Sequence, residues 1–101
     1  MAQLITVYWR DIPAQVIAKE RRTTAKVELS ERFADAIDRA AMRAGKGGTD
    51  AYLEEWKRVS APCGDDLEAE AKQAAAELEA AYDKERLLAL IRNDGNEQAA
   101  E

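Results

Sequence analysis

The sequence predicts an α+β fold: a small antiparallel sheet of two to three strands at the N-terminus, packed against three helices. Three observations lead there. Apolar residues alternate with the two-residue period of strands over Ala25 to Leu29, whereas after residue 30 they recur with helical period. The switch falls inside one continuous stretch, Thr23 to Gly45. The strand-like runs are joined by connections of only a few residues, which suit hairpins and not crossovers.

The first run, Gln3 to Arg10, contains Leu-Ile-Thr-Val-Tyr-Trp and is apolar or aromatic on both faces. That is the pattern of a strand covered on both sides or placed centrally. Asp11 and Pro13 stop it. A second strand is expected over Ala14 to Lys19, with Pro13 at its first position or a bulge, because proline cannot donate to a ladder. Glu20-Arg21-Arg22 is a charged turn. The third strand is Thr23 to Leu29, with Ala25, Val27 and Leu29 on one face and Lys26 and Glu28 on the other.

Helix one is expected over Glu31 to Ala44. Ser30 is placed to cap it, since its hydroxyl can accept from a free N–H of the first turn. Phe33, Ile37, Ala40 or Ala41, and Ala44 share a face, and Gly45 stands at the C′ position. Lys46-Gly47-Gly48 is a break. Helix two is expected over Ala51 to Val59, capped by Thr49 or Asp50, with Tyr52, Trp56 and Val59 on one face. Ser60 to Gly64 reads as a loop. Helix three, the longest, is expected from a cap at Asp65 or Asp66 to Arg92, with an apolar stripe interrupted at Glu85. Residues 1–95 are expected to form a single domain and 96–101 a disordered tail.

Composition bounds the function. The chain has 101 residues and a net charge of −5, enough for one modest core. Residues 1–45 carry eight basic and six acidic side chains, net +2, whereas the rest carries seven and fourteen, net −7. An acidic second half argues against nucleic acid and against an anionic membrane surface. There is no histidine and one cysteine, Cys63, so the usual zinc and Ser-His or Cys-His chemistries lose their parts. No metal and no cofactor are expected. No apolar run approaches the roughly 18 residues of a membrane span, and the N-terminus lacks the pattern of a signal peptide. A cytoplasmic protein is expected.

Tyr-Trp-Arg-Asp-Ile-Pro-Ala-Gln-Val (8–16), Ala-Lys-Val-Glu-Leu-Ser-Glu-Arg-Phe (25–33), Ala-Ile-Asp-Arg-Ala-Ala (36–41) and Tyr-Leu-Glu-Glu-Trp (52–56) resemble the small bacterial virulence factor domain family. The resemblance spans Leu4 to Asn93, nearly the whole chain. It implies no defined activity, cofactor or catalytic residue. Similar domains end longer proteins with helical repeats, which implies an interaction module. Alphaproteobacterial members lie near genes of folate- and corrinoid-dependent methyl transfer, which implies an accessory role or a small enzyme there as the alternative.

Among local clusters, Trp9-Arg10-Asp11 is the most specific, because Trp and Arg are enriched at binding hot spots. The plainer reading is a core tryptophan beside solvated turn charges. Cys63 precedes a helix N-terminus, but Asp65, Asp66 and Glu68 disfavour its thiolate. Gly45 to Thr49 lacks the glycine spacing and the preceding strand of a phosphate loop. The pairs Glu54/Glu55 and Asp65/Asp66 are expected on exposed positions, where neither member is desolvated for acid–base work. Tyr52 and Trp56 are expected in the core. The expected function is therefore a non-catalytic protein-binding or accessory module, with Trp9, Arg10 and Asp11 as candidate interaction residues, a protein partner and an undetermined oligomeric state.

Overall fold

The computed structural model describes residues 2–45 and 48–96, with Thr49 and Ala51 described by backbone alone. The expected break at Lys46-Gly47, and the tail beyond Asn96, lie outside the described residues. Among the described residues, four strands and four helices follow in the order β1 (Gln3–Trp9), β2 (Ile12–Glu20), β3 (Thr23–Glu28), α1 (Glu31–Arg43), α2 (Thr49–Glu54), β4 (Trp56–Pro62), α3 (Leu67–Ala81) and α4 (Lys84–Arg92). The sheet has the order β3-β2-β1-β4, with every neighbouring pair antiparallel.

The α+β class and the N-terminal meander are as expected, but there is one more strand and one more helix. β1 is joined to β2 through Arg10-Asp11, and β2 to β3 through Arg21-Arg22. In both turns the first residue takes a positive φ, 53° at Arg10 and 54° at Arg21. Two-residue hairpin loops need such a left-handed residue to match the strand twist. The β1–β2 register shifts between Val7 and Tyr8, beside Ala14 and one residue after Pro13.

The added strand is β4. Residues 56–59, expected to continue helix two, pair instead with β1, Trp56 opposite Trp9 and Val59 opposite Thr6. Ser60 to Pro62, expected as a loop, complete the strand. β1 is largely covered, so the backbone N–H and C=O groups along both of its edges need partners. β2 pairs with one edge, and β4 is the segment that pairs with the other. The α2 helix stops at Glu55, where the turn places Trp56 at the start of the strand.

The added helix comes from a break in the long third helix. Tyr82 leaves helical geometry at φ −107° and ψ 76°, and the Asp83 side chain accepts from the Arg86 N–H at 2.8 Å to start α4. The interruption of the apolar stripe at Glu85 was the local sign. The break turns Tyr82 inward against Phe33, ring centroids 6.1 Å apart. It also lets α4 lie along α1.

α3 packs on β2 and β3, where Ala18, Leu67 and Ala71 are buried together with Ala2. A larger core joins Trp9, Ile12, Val16, Phe33, Ile37, Leu87 and Leu90 at the end of the sheet that α1 and α4 close. Asp66 caps α3 by accepting from the Ala69 N–H at 3.2 Å. Ser30 does not cap α1 with its hydroxyl. The hydroxyl donates to Glu79 Oε1 at 2.8 Å and the Ser30 N–H to Glu79 Oε2 at 2.6 Å, so the start of α1 is tied to α3. Arg32 adds a 3.0 Å contact to the same carboxylate.

Two outcomes follow. Gly95 has φ +91°, and a Cβ there would lie 2.8 Å from Trp9 Cζ3. Gly95→Ala combines left-handed strain with overpacking of a fully buried ring, and is expected to cost about 2–4 kcal/mol in chemical denaturation. The Glu79 carboxyl is held below its ordinary range: burial opposes ionisation, but the Ser30 and Arg32 hydrogen bonds outweigh it. Because the folded-state value is the lower one, its contribution is complete above the ordinary glutamate value. It is lost as pH falls through the folded one. Glu79→Gln should therefore narrow its stability deficit against wild type as urea titrations move from neutral pH to below about pH 4.

Candidate functional site

The hairpin turn after β1 places Trp9, Arg10 and Asp11 together, but their side chains diverge. Trp9 is fully buried. Its indole Nε1 donates to the Tyr52 carbonyl at 2.9 Å, and its ring stacks on that of Tyr52, centroids 5.9 Å apart. It presents no surface to a partner. Arg10 lies over the Trp9 ring at 5.2 Å and reaches inward. Its Nη1 donates to the Asp94 carbonyl at 2.7 Å, and its Nε lies 3.3 Å from Glu55 Oε1. The backbone adds to this, with Arg10 N–H donating to Glu55 O at 3.0 Å and Asp11 N–H to Gly95 O at 2.9 Å. The turn thus fastens β1 to the end of α2 and to the residues after α4. Asp11 is the member that reaches the surface, where Lys57 Nζ meets its carboxylate at 3.1 Å.

The positive φ of Arg10 is held by these contacts. A left-handed conformation in a non-glycine residue costs about 1–2 kcal/mol, comparable to the net worth of one or two hydrogen bonds. Arg10 has more than that number.

Two features border this knot. On one side β4 is the open edge of the sheet, and every residue from Lys57 to Pro62 is exposed, Val59 at 52%. On the other side a cleft of about 280 Å³ lies between the end of β3, α1, α2 and Trp56, with Tyr52 and Trp56 among its lining residues. These two rings meet edge to face, with centroids 5.7 Å apart. Both pack against the larger core and stay half-buried, so the expected core placement holds on one side of each ring only. The two aromatics were legible as a pair in the sequence, but the cleft was not. Helical spacing put Trp56 on a helix, and the strand start moves it to the cleft wall.

The remaining candidates fall apart. Cys63 is half-buried, and burial, then Glu70, Glu20 and Asp65, push its thiol up, away from a thiolate nucleophile. Glu55 is engaged by Arg10, while Glu54 is exposed on α2. Asp66 is the α3 cap. Among the described residues, no group of three His, Cys, Asp or Glu side chains is placed to hold a metal ion, and no helix is long and apolar enough to cross a membrane.

The family model described as "Virulence factor" matches residues 7–91, and the chain belongs to that family. The match contains the Trp9-Arg10-Asp11 turn, the cleft and all of β4. No curated protein and no solved structure matches the chain.

Arg10→Ala removes the guanidinium from the Asp94 carbonyl and from Glu55. It should lower stability by about 1–3 kcal/mol in urea denaturation, the cost of unmaking charge-assisted bonds at a largely covered position. A change below about 0.5 kcal/mol would mean that water replaces the guanidinium without loss.

Proposed function

We propose that this member of the virulence factor family is a non-catalytic protein-binding module whose recognition surface is the β4 edge together with the neighbouring Asp11–Lys57 pair. The single observation that carries the reading is the exposure of β4 over its whole length after Trp56. A sheet edge offers unpaired N–H and C=O groups, and an extended segment of another protein can add to them as a further strand. Main-chain bonds give such a complex its affinity, and alternate side chains give it selectivity. On β4 those positions are Lys57, Val59 and Ala61 on one face and Arg58 and Ser60 on the other, as the pairing with β1 fixes them.

The Trp9-Arg10-Asp11 turn supports this surface. Trp9 opposes Trp56, the first residue of β4, and Arg10 holds Glu55 just before it. The knot thereby sets the angle at which the edge leaves the core. Of the three candidate residues, Asp11 contributes directly, through Lys57, and the other two act by position.

The test is capture from a native extract by tagged protein, wild type against Val59→Glu. The substituted side chain is exposed, so the melting temperature should stay within a few degrees. Recovery of a strand-adding partner should fall by about tenfold, because a charge at the centre of the edge is disfavoured in a new apolar pairing. Undiminished recovery with an unchanged melting temperature would move the interface off β4.

A further inference from the structure

The chain has six aromatic residues. Four of them carry a cation from the chain itself: Arg10 over Trp9 at 5.2 Å, Arg32 over Phe33 at 4.6 Å, Lys57 over Tyr8 at 6.0 Å and Arg86 over Tyr82 at 4.0 Å. Tyr52 and Trp56 have no such partner among the described residues. They are the two rings that line the cleft of about 280 Å³. Two carboxylates, Glu28 at the end of β3 and Asp38 on α1, stand in its exposed lining, and neither forms an ion pair or hydrogen bond with a described residue. Leu29 and Ile37, both buried, supply the apolar part.

We infer that this cleft is a binding site for a guanidinium group, that of an arginine side chain on a partner protein. A flat, weakly hydrated cation stacks on aromatic faces while its N–H groups reach carboxylates, and its methylene stem suits apolar contacts. The cleft supplies all three: two aromatic rings, Glu28 and Asp38, and Leu29 with Ile37. The two carboxylates come from different elements, the end of β3 and α1, and both line the cleft. Asp38 stands near Tyr52: burial first, and the Asp38 charge second, push the Tyr52 phenol up. The net charge of −5 favours the approach of a cation. The site shares Trp56 with the start of β4 but lies apart from the exposed residues Lys57 to Pro62, and it does not depend on a strand being added there.

The experiment is a titration of ¹⁵N-labelled protein, following the Trp56 indole N–H and the backbone amides of Glu28 and Asp38. The probes are N-acetyl-arginine-amide, its neutral isostere N-acetyl-citrulline-amide and N-acetyl-lysine-amide. The arginine derivative should give saturable shifts at these three positions, in the millimolar range expected of one small, solvent-open contact. The citrulline derivative should bind about tenfold more weakly or not at all, and the lysine derivative more weakly than arginine. Asp38→Asn and Glu28→Gln alter exposed side chains, and each should weaken arginine binding by about fivefold while leaving the rest of the spectrum in place. Equal shifts from arginine and citrulline, or affinity unchanged in both variants, would overturn the site. Shifts concentrated on the acidic α3 helix in place of the cleft would also overturn it. Lysine binding as tight as arginine would overturn the assignment to a planar cation.

Discussion

The burial of Trp9 is the constraint on which the rest of the structure depends. It sits at the end of β1 with no exposed surface, and three separate parts of the chain close around it. Tyr52 stacks on one side and accepts its indole N–H. Gly95 comes so close to the ring that no side chain fits there. Arg10 covers it with a guanidinium whose hydrogen bonds run to Glu55 and Asp94. Burying a tryptophan removes a large apolar area from water, but only if its one polar atom finds a partner. The Tyr52 carbonyl is that partner, and it is supplied by a helix of only six residues. The short helix, the chain reversal after α4 and the hairpin turn are held in place together because each completes the surroundings of one ring.

The sheet inherits an asymmetry from this arrangement. α3 covers β2 and β3, and the larger core gathers at the Trp9 end. β4 is held by its pairing to β1 and, after Trp56, keeps its side chains in solvent. Natural edges are protected by charge and proline, and β4 has Lys57, Arg58 and Pro62. Those residues discourage indiscriminate pairing while leaving Val59 and Ser60 at the middle of the strand. On the proposed reading of β4 as a recognition edge, the same charges that protect it against aggregation would also select its partner.

The separation of charge along the sequence has a counterpart in space. Glu79 of the acidic second half meets the first half at the start of α1, where it binds both Ser30 and Arg32. Arg32 also donates to the backbone at Glu79 and Tyr82, at the point where α3 ends. Arginines recur beside the aromatic rings for the same reason: a guanidinium keeps its hydrogen bonds while its flat face covers apolar area. The cleft at Tyr52 and Trp56 is where, among the described residues, the pattern of paired ring and cation stays open.

The first three strands and α1 were legible from the sequence, because their signals are local. Alternation in 23–29, the charged turns, the helical period from Phe33 and the glycine at position 45 each state a preference that the fold keeps. The grouping of Trp9, Arg10 and Asp11 was legible too, as was the absence of histidine and the acidity of the second half. β4 was not. An edge strand exposed on both faces has no alternation to reveal it, and the spacing of Tyr52, Trp56 and Val59 satisfies a helix equally well. Its state is decided by hydrogen bonds to β1, more than fifty residues away for most of the pairs. The split between α3 and α4 had a local sign in Asp83 and Glu85, but an alanine-rich segment propagates a helix unless packing opposes it, and the burial of Tyr82 against Phe33 does so. The inward direction of Arg10 and the meeting of Glu28, Asp38, Tyr52 and Trp56 at one cleft belong to tertiary structure alone. Sequence spacing specifies which residues share an element, whereas a site drawn from several elements exists only once their packing has fixed the distances between them.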